Sequence, residues 1–183
     1  EKNIRKVTPY TPGEQPQRDG IIKLNTNENP YPPSPKFMQK LKEMQGGSLR
    51  LYPDPAAKTL VGALAAYHEL LPEQVFVGVG SDDVLAMSFL TFFQSSKPIL
   101  FPDITYSFYN VWAELFQISY ERPPLAEDFT IIPEDYFRDN GGVIFPNPNA
   151  PTGIAMELEA VREILEHNQD VVVIVDEAYV DFG

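Results

Sequence analysis

The sequence contains no cysteine and only two histidines among its 183 residues. Without cysteine, the chain cannot form a disulfide scaffold, a zinc site built on thiolates or a thiol nucleophile. The histidines, His68 and His167, both fall in segments predicted to be helical and far from the ends of the predicted strands. A metal site built on histidine and a serine–histidine triad are therefore not expected.

Positive charge is also scarce, with 14 lysines and arginines against 26 aspartates and glutamates and a net charge of −12. Because nucleic acids and anionic membrane surfaces attract basic proteins, neither is an expected partner. No apolar run approaches the roughly 20 residues of a membrane span, and residues 1–20 lack the apolar core of a secretory signal. We expect a cytoplasmic protein that acts on small molecules.

Proline is common but unevenly distributed, since nine of the 18 prolines lie in the first 55 residues. Proline fixes φ and removes a backbone donor, so residues 1–35 are predicted to form an extended N-terminal arm. From there the pattern changes to helix alternating with strand. Residues 36–183 are therefore predicted to form part of one large α/β domain.

The predicted strands are short apolar runs without alternating polar residues, which indicates a sheet buried on both faces. Helices separate them, so the expected fold class is α/β, a three-layer, mostly parallel sheet with helices on both faces. Ligands bind such sheets beyond the carboxyl ends of the strands. The predicted strands are 75–79, 98–101, 118–122, 143–145 and 171–175, and the predicted helices are 36–44, 56–71, 81–93, 107–116 and 157–168. The expected apolar face of helix 56–71 consists of Leu60, Leu64, Tyr67 and Leu71.

The first candidate binding segment is residues 78–83, Gly-Val-Gly-Ser-Asp-Asp, between a predicted strand and a predicted helix. Glycines permit close backbone approach, and the free N–H groups at a helix start attract phosphate. Asp83 stands where a dinucleotide fingerprint has its third glycine, and the chain contains no P-loop sequence. A phosphate cradle and a tight turn capped by Ser81 both remain open.

The second candidate is Asp176-Glu177, directly after the apolar run 171–175. An apolar strand followed by Asp-Glu is typical of a Walker B element, but the missing phosphate-loop lysine disfavours an ATPase. Burying a carboxylate is costly without a partner, so Asp176 is expected to face a cation, a protonated ring nitrogen or a metal. A solvent-exposed strand end is the alternative.

The third candidate is the loop 147–153, Asn-Pro-Asn-Ala-Pro-Thr-Gly, again directly after an apolar run. If the sheet is parallel, the strand ends at residues 79, 145 and 175 converge on one crevice. Tyr106 and Tyr179 lie close to such ends, whereas Phe108 is expected to pack in the core on an aromatic helix face.

Six segments, in this order and spacing, resemble the fold-type I, pyridoxal-phosphate-dependent aminotransferases. Asn-Glu-Asn-Pro and Tyr-Pro-Asp are most similar to the histidinol-phosphate branch of that family. The resemblance covers the chain from its N-terminal region to its last residues. The six segments are residues 7–13, 23–30, 50–54, 80–82, 147–153 and 176–179.

This resemblance implies pyridoxal 5'-phosphate as the cofactor. Ser81 and Asp82 would donate backbone N–H groups to the cofactor phosphate, and Tyr106 would stack on the pyridine ring. Asp176 would pair with the protonated ring nitrogen, which keeps the ring able to accept electrons. Tyr179 would donate a hydrogen bond to the 3'-oxygen.

The resemblance also implies an asparagine contact to the cofactor from the loop 147–153. In relatives with Asn-Asn-Pro-Thr-Gly that asparagine directly precedes the proline, whereas here Ala150 takes this place and Asn149 is the nearest substitute. The lysine that forms the Schiff base is expected downstream of Gly183. No catalytic residue of that kind is therefore expected among these 183 residues.

A homodimer with shared active sites follows from the same resemblance, with Tyr52 reaching the cofactor phosphate of the other subunit. Tyr10, Asn27 and Glu28 would lie on the substrate side of the site. The implied activity is amino-group transfer between L-histidinol phosphate and 2-oxoglutarate, with glutamate as the other product, in histidine biosynthesis. Threonine-phosphate decarboxylase of the same superfamily and a non-catalytic fragment that binds pyridoxal phosphate remain alternatives.

Overall fold

The computed structural model describes residues 7, 13, 14, 18 and 20–182. The chain divides into two compact units, one formed by Thr11–Val77 and the other mainly by Gly78–Gly183. In the described part of the chain, no helix is long and apolar enough to cross a membrane.

The described residues of the first unit form two α-helices and two short 3-10 helices. Helix α1 spans Pro35–Glu43, close to the prediction, because the Ser34 hydroxyl accepts a hydrogen bond from Phe37 N–H at 3.2 Å and a proline occupies the first turn. After α1, the chain forms a 3-10 helix, Gly46–Arg50. The second 3-10 helix is Pro72–Gln74.

Helix α2, Lys58–Tyr67, is shorter than the predicted helix 56–71. At its start, the Asp54 carboxylate accepts hydrogen bonds from Ala56 N–H and Lys58 N–H in a turn. At its end, Glu69 has a left-handed backbone with φ of 56°, which a helix cannot continue through.

The predicted apolar face of α2 is wrong. Leu60, Tyr67 and Leu71 are exposed, and the buried residue of the helix is Ala65. Periodicity identifies an apolar stripe, but burial also needs a surface to cover that stripe. The described residues of this unit form no sheet that could supply one.

The strand predicted at 75–79 is also wrong, because these residues form no ladder. Phe76 is 65% exposed and Val79 is 93% exposed. A strand exists only where a neighbour accepts and donates its backbone hydrogen bonds. Among the described residues, no strand pairs with this segment.

The second unit is built on a four-stranded sheet with the order β2-β1-β3-β4, in which every pair is parallel. Helices connect the strands along the chain, as a parallel sheet requires. The strands are β1 Ile99–Leu100, β2 Tyr120–Glu121, β3 Val143–Pro146 and β4 Val173–Asp176. The helices are α3 Ser81–Phe92, α4 Phe108–Phe116 and α5 Leu158–His167, with 3-10 helices at Pro133–Tyr136 and Val180–Phe182.

Helices cover both faces of this sheet. Ile99 and Ile144 point to one face and pack with residues of α3 and α4, such as Phe89 and Ala113. The residues that alternate with these along the strands point to the other face, where they pack against α5 and the 3-10 helix Pro133–Tyr136. The predicted three-layer, parallel α/β arrangement is therefore confirmed.

The strand predicted as fully apolar and buried at 171–175 is β4, which starts two residues later and is only half-buried. In the described chain it pairs with β3 alone and forms one edge of the sheet. Its position brings Asp176 opposite Pro146 at the carboxyl ends of the two strands.

Candidate active site

The start of helix α3 differs from the prediction by one residue. Gly80, not Ser81, is the N-cap, and no side chain caps the helix. Gly80 has φ of 85° and ψ of 171°, a conformation that is essentially restricted to glycine. The space that a Cβ would occupy at Gly80 is empty to 4 Å, so the backbone at this turn is open to close approach.

The two carboxylates in the first turn of α3 are both hydrogen-bonded away from the helix end. Asp82 Oδ1 accepts from the Tyr106 hydroxyl at 2.8 Å, and Asp83 Oδ2 accepts from Val79 N–H at 3.0 Å. Nothing in the described part of the chain accepts a hydrogen bond from the backbone N–H of Ser81 or Asp82. These two donors, at the positive end of the helix dipole, are suited to bind an anion.

Asp176 lies at the end of β4 with its carboxylate half-buried. Its Oδ2 accepts from the Tyr109 hydroxyl at 2.8 Å, and its Oδ1 accepts from Ala178 N–H at 3.2 Å. Its backbone carbonyl accepts from Asn147 N–H at 2.9 Å, which joins the end of β4 to the loop after β3. The carboxylate therefore has a defined orientation.

Tyr109 is a site residue that was not predicted from the sequence. Its ring is fully buried, but its hydroxyl reaches Asp176. Burial and, to a smaller degree, the Asp176 charge raise the pKa of Tyr109 far above its ordinary value. The hydroxyl therefore stays protonated and remains a hydrogen-bond donor. The three-residue spacing from Tyr106 is the signal that could have indicated it.

One pocket of about 100 Å³ lies at this end of the sheet. It brings together four of the residues predicted to bind the cofactor: Ser81, Tyr106, Asp176 and Tyr179. Pro146, Ala150 and Ala178 complete its lining. A helix N-terminus, an aromatic ring and an oriented carboxylate thus face one small volume.

Asn149 does not line this pocket. Its side chain is only 2% exposed, and its amide donates to Ile104 C=O at 3.0 Å and to Thr152 Oγ1 at 3.2 Å. Its Oδ1 accepts from the Thr105 hydroxyl at 2.9 Å. The contact between Asn149 and a cofactor stays a prediction, and Ala150 is the residue of this loop that faces the pocket.

The remaining predicted site residues belong to the first part of the chain. Tyr52 and Asn27 are exposed within the first unit. Glu28 forms an ion pair with Lys23, whose hydrogen bond and charge lower the pKa of the Glu28 carboxyl. The predicted substrate contact at Tyr10 lies outside the described residues.

Neither histidine contributes to the pocket. His68 directly follows helix α2, and its ring lies edge-on to that of Tyr67. His167 ends α5, stacks on Phe137 and pairs through Nδ1 with Glu163 C=O at 2.8 Å. Over the residues that the structure describes, no cluster of three or more His, Asp or Glu side chains could hold a metal ion.

Proteins named histidinol-phosphate aminotransferase share more than half of this sequence. The protein of that name from Lactococcus lactis subsp. cremoris is 53% identical over 183 residues, which is 100% of this chain and 51% of the relative. Histidinol-phosphate aminotransferase 1 from Methylococcus capsulatus is 57% identical over 180 residues, which is 98% of this chain and 50% of the relative. The chain therefore spans about half the length of these curated relatives.

Solved structures show the same fold. Histidinol-phosphate aminotransferase from Sinorhizobium meliloti, in complex with pyridoxal-5'-phosphate, superposes with a TM-score of 0.75 at 21% identity and covers 85% of this chain and 44% of that chain. L-threonine-O-3-phosphate decarboxylase from Porphyromonas gingivalis gives 0.66 at 21% identity and covers 80% of this chain and 44% of that chain. The family model for aminotransferase class I and II matches residues 19–183. The chain thus belongs to the aminotransferase class I and II family.

Proposed function

We propose that the full-length protein containing this chain transfers an amino group between L-histidinol phosphate and 2-oxoglutarate, with pyridoxal 5'-phosphate as its cofactor. The observation that carries the proposal is the pocket at the carboxyl ends of β3 and β4, where Ser81, Tyr106 and Asp176 meet. Curated relatives that are 53% and 57% identical bear the name histidinol-phosphate aminotransferase, which supports the choice of amino donor.

The residues present fit this cofactor. Its phosphate is an anion, and the backbone N–H groups of Ser81 and Asp82 have no acceptor within the described chain. Its ring is a planar aromatic, and the aromatic residue Tyr106 lines the same pocket. Its ring nitrogen gains a proton more readily beside an anion, and Asp176 supplies an oriented carboxylate.

Pyridoxal phosphate supplies an electron sink for the electrons released when a substrate loses its Cα proton. In the proposed site, the Asp176 carboxylate would hold the proton on the ring nitrogen. The Tyr179 hydroxyl would donate a hydrogen bond to the 3'-oxygen. Tyr106 would pack on the ring, and its hydrogen bond to Asp82 orients the tyrosine.

Asn149 has an indirect part in this proposal. Both N–H donors of its amide are used, by Ile104 C=O and Thr152 Oγ1, and its Oδ1 accepts from Thr105, so it holds the loop that presents Ala150 to the pocket. For Asn149 to donate a hydrogen bond to the cofactor, one of the two bonds from its N–H groups would have to break. A cytoplasmic location, expected from the sequence, stays a prediction.

We further propose that residues 1–35 form an arm, that residues 36–183 belong to the large cofactor-binding domain, and that the protein is a homodimer. Tyr52, exposed here, would contact the cofactor phosphate of the partner subunit. Tyr10, Asn27 and Glu28 would contact the substrate, and the lysine that binds the cofactor covalently would lie downstream of this chain. Sedimentation of the full-length protein with bound cofactor tests the dimer, and a monomeric active enzyme would refute it.

The activity test uses the full-length protein loaded with pyridoxal 5'-phosphate. Incubation with L-histidinol phosphate and 2-oxoglutarate is expected to yield glutamate without release of carbon dioxide. Carbon dioxide from threonine phosphate, without consumption of 2-oxoglutarate, would instead establish the decarboxylase. Failure to bind the cofactor would establish neither enzyme and would overturn the proposal.

A further inference from the structure

Three hydroxyl groups from one short segment hold three different parts of the candidate site. The segment is Thr105–Tyr109, between β1 and the first turn of α4. Its Thr105 hydroxyl donates to Asn149 Oδ1 at 2.9 Å, and its Tyr106 hydroxyl donates to Asp82 Oδ1 at 2.8 Å. Its Tyr109 hydroxyl donates to Asp176 Oδ2 at 2.8 Å.

The acceptors lie on separate elements: the start of α3, the loop after β3 and the end of β4. Because β1 lies between β2 and β3 in the sheet, the chain that leaves β1 passes the carboxyl ends of its neighbours. A single segment can therefore reach all three elements. Its hydrogen bonds fix how these elements are placed relative to one another.

The bond from Tyr109 differs from the other two because its acceptor is the carboxylate proposed to face the ring nitrogen of the cofactor. The Tyr109 ring is fully buried and is packed edge-on by Phe101, with ring centroids 5.8 Å apart, and by Tyr106, also at 5.8 Å. Phe89 lies against it at 6.1 Å. Such packing leaves the hydroxyl one position, directed at Asp176.

We propose that Tyr109 is a positioning residue for Asp176, holding the carboxylate in the orientation that keeps the ring nitrogen of the bound cofactor protonated. This inference depends on the proposed function. Ala178 N–H holds the other carboxylate oxygen, but it belongs to the loop that directly follows Asp176 and moves with it. Tyr109 is the contact that ties the carboxylate to the packed core.

The direct test is a Tyr109→Phe variant of the full-length protein, which keeps the ring and removes the hydroxyl. Binding 15N-labelled pyridoxal 5'-phosphate allows the protonation of its ring nitrogen to be followed by NMR as the pH is raised. We expect the variant to lose the ring proton at a lower pH than the wild type. Loss of a hydrogen bond to a charged group changes an equilibrium or rate constant by about 10- to 100-fold. We therefore expect kcat of the variant to fall by about that factor, while KM stays within about twofold of the wild-type value.

Tyr136→Phe is the matched control. Tyr136 is buried to 1% exposure but packs in the other core cluster, with Phe145 and α5. Removing the Tyr136 hydroxyl should leave kcat and the titration of the cofactor's ring nitrogen unchanged. If Tyr109→Phe lowers only the stability of the protein and leaves the nitrogen titration at its wild-type position, Tyr109 has a packing role and the proposal fails.

Two further measurements keep the inference testable if Tyr109→Phe does not fold. Site-specific 3-fluorotyrosine at position 109 retains the ring and makes its hydroxyl a stronger donor to Asp176, so the titration of the ring nitrogen should shift from its wild-type position; no shift would overturn the proposal. In the Asp176→Asn variant, 3-fluorotyrosine at position 109 should have no further effect on kcat. A wild-type protein that binds no pyridoxal phosphate would refute the proposed function itself, which is a different result.

Discussion

The Asn149→Ala variant separates a residue that holds a loop from one that binds a cofactor. Asn149 makes three side-chain hydrogen bonds, to Ile104 C=O, Thr105 Oγ1 and Thr152 Oγ1, at 3.0, 2.9 and 3.2 Å. Each contributes about 0.5–1.5 kcal/mol net. With the side chain 2% exposed, little water replaces them, so we expect a loss of about 2–4 kcal/mol in the free energy of unfolding.

The assay compares wild type and variant in the full-length protein without cofactor. Urea unfolding gives the change in stability, and hydrogen exchange over residues 147–156 shows whether the loss is local to the loop. Gly153 N–H, which donates to Asn149 C=O at 2.7 Å, is the amide expected to lose the most protection. Glu157→Ala is the control, since this exposed side chain makes no capping bond to α5, and its effect should stay within about 0.5 kcal/mol.

The opposite pattern would refute the reasoning. If Asn149→Ala left the cofactor-free protein within about 0.5 kcal/mol of wild type and weakened pyridoxal phosphate binding more than tenfold, the asparagine would act on the cofactor directly. Asn149 would then make the asparagine contact to the cofactor that is expected from the family, although it lies one residue before Ala150. Loss of stability with a smaller change in affinity supports the structural role.

Three further outcomes follow from the site and the core. Asp176→Ala is expected to lower kcat of the full-length enzyme by about 100-fold or more, since the ring-nitrogen proton loses its partner, and wild-type turnover would contradict the assignment. Gly80→Ala should cost about 1–3 kcal/mol in stability at φ of 85° and weaken binding of the cofactor phosphate; a calorimetric melting temperature equal to wild type would refute this. Because burial raises the pKa of Tyr109 and Tyr136, the folded state holds more protons than the unfolded state above pH ~10, so stability should fall as the pH rises beyond that value. An ultraviolet titration in which all tyrosines ionise near pH ~10 before unfolding would contradict this.

The sheet was predictable because its signals are local. Runs such as Val143–Phe145 are apolar at every position, and only a strand covered on both faces requires that. Helices between the runs then make the sheet parallel, which brings the carboxyl ends of β3 and β4 together. Of the four predicted residues that line the pocket, Ser81 starts α3, Asp176 and Tyr179 lie at or just after the end of β4, and Tyr106 follows β1.

The errors concern features that depend on a partner elsewhere in the chain. Residues 75–79 have the composition of a strand but no neighbour to pair with in the described structure. The stripe on α2 has the right spacing but nothing in its own unit to cover it. Ser81 has the chemistry of a cap, yet the turn requires the positive φ that Gly80 adopts.

Tyr109 and Asn149 show the same limit within the site. Tyr109 and Asp176 are 67 residues apart, and Asn149 bonds Thr105 across 44 residues. The structure buries the ring of Tyr109 completely, although no prediction was made for this residue. The position of the Tyr109 hydroxyl depends on the register between β1, β3 and β4, which no local sequence pattern specifies.

The chain carries a net charge of −12, yet the proposed ligand is an anion. The conflict is resolved over a few ångströms at the start of α3. The Asp82 carboxylate, adjacent in sequence to the open N–H groups, accepts from Tyr106 at 2.8 Å, and Asp83 is bonded to Val79 N–H at 3.0 Å. Both carboxylates thereby accept hydrogen bonds from donors of their own, while the N–H groups of Ser81 and Asp82 remain available for the proposed phosphate.

Directed backbone donors act at hydrogen-bond distance, whereas the net charge is spread over the surface and screened within about 8–10 Å by salt. In the proposed site, local geometry therefore outweighs the net charge, and the Tyr106 hydroxyl contributes by donating a hydrogen bond to the Asp82 carboxylate.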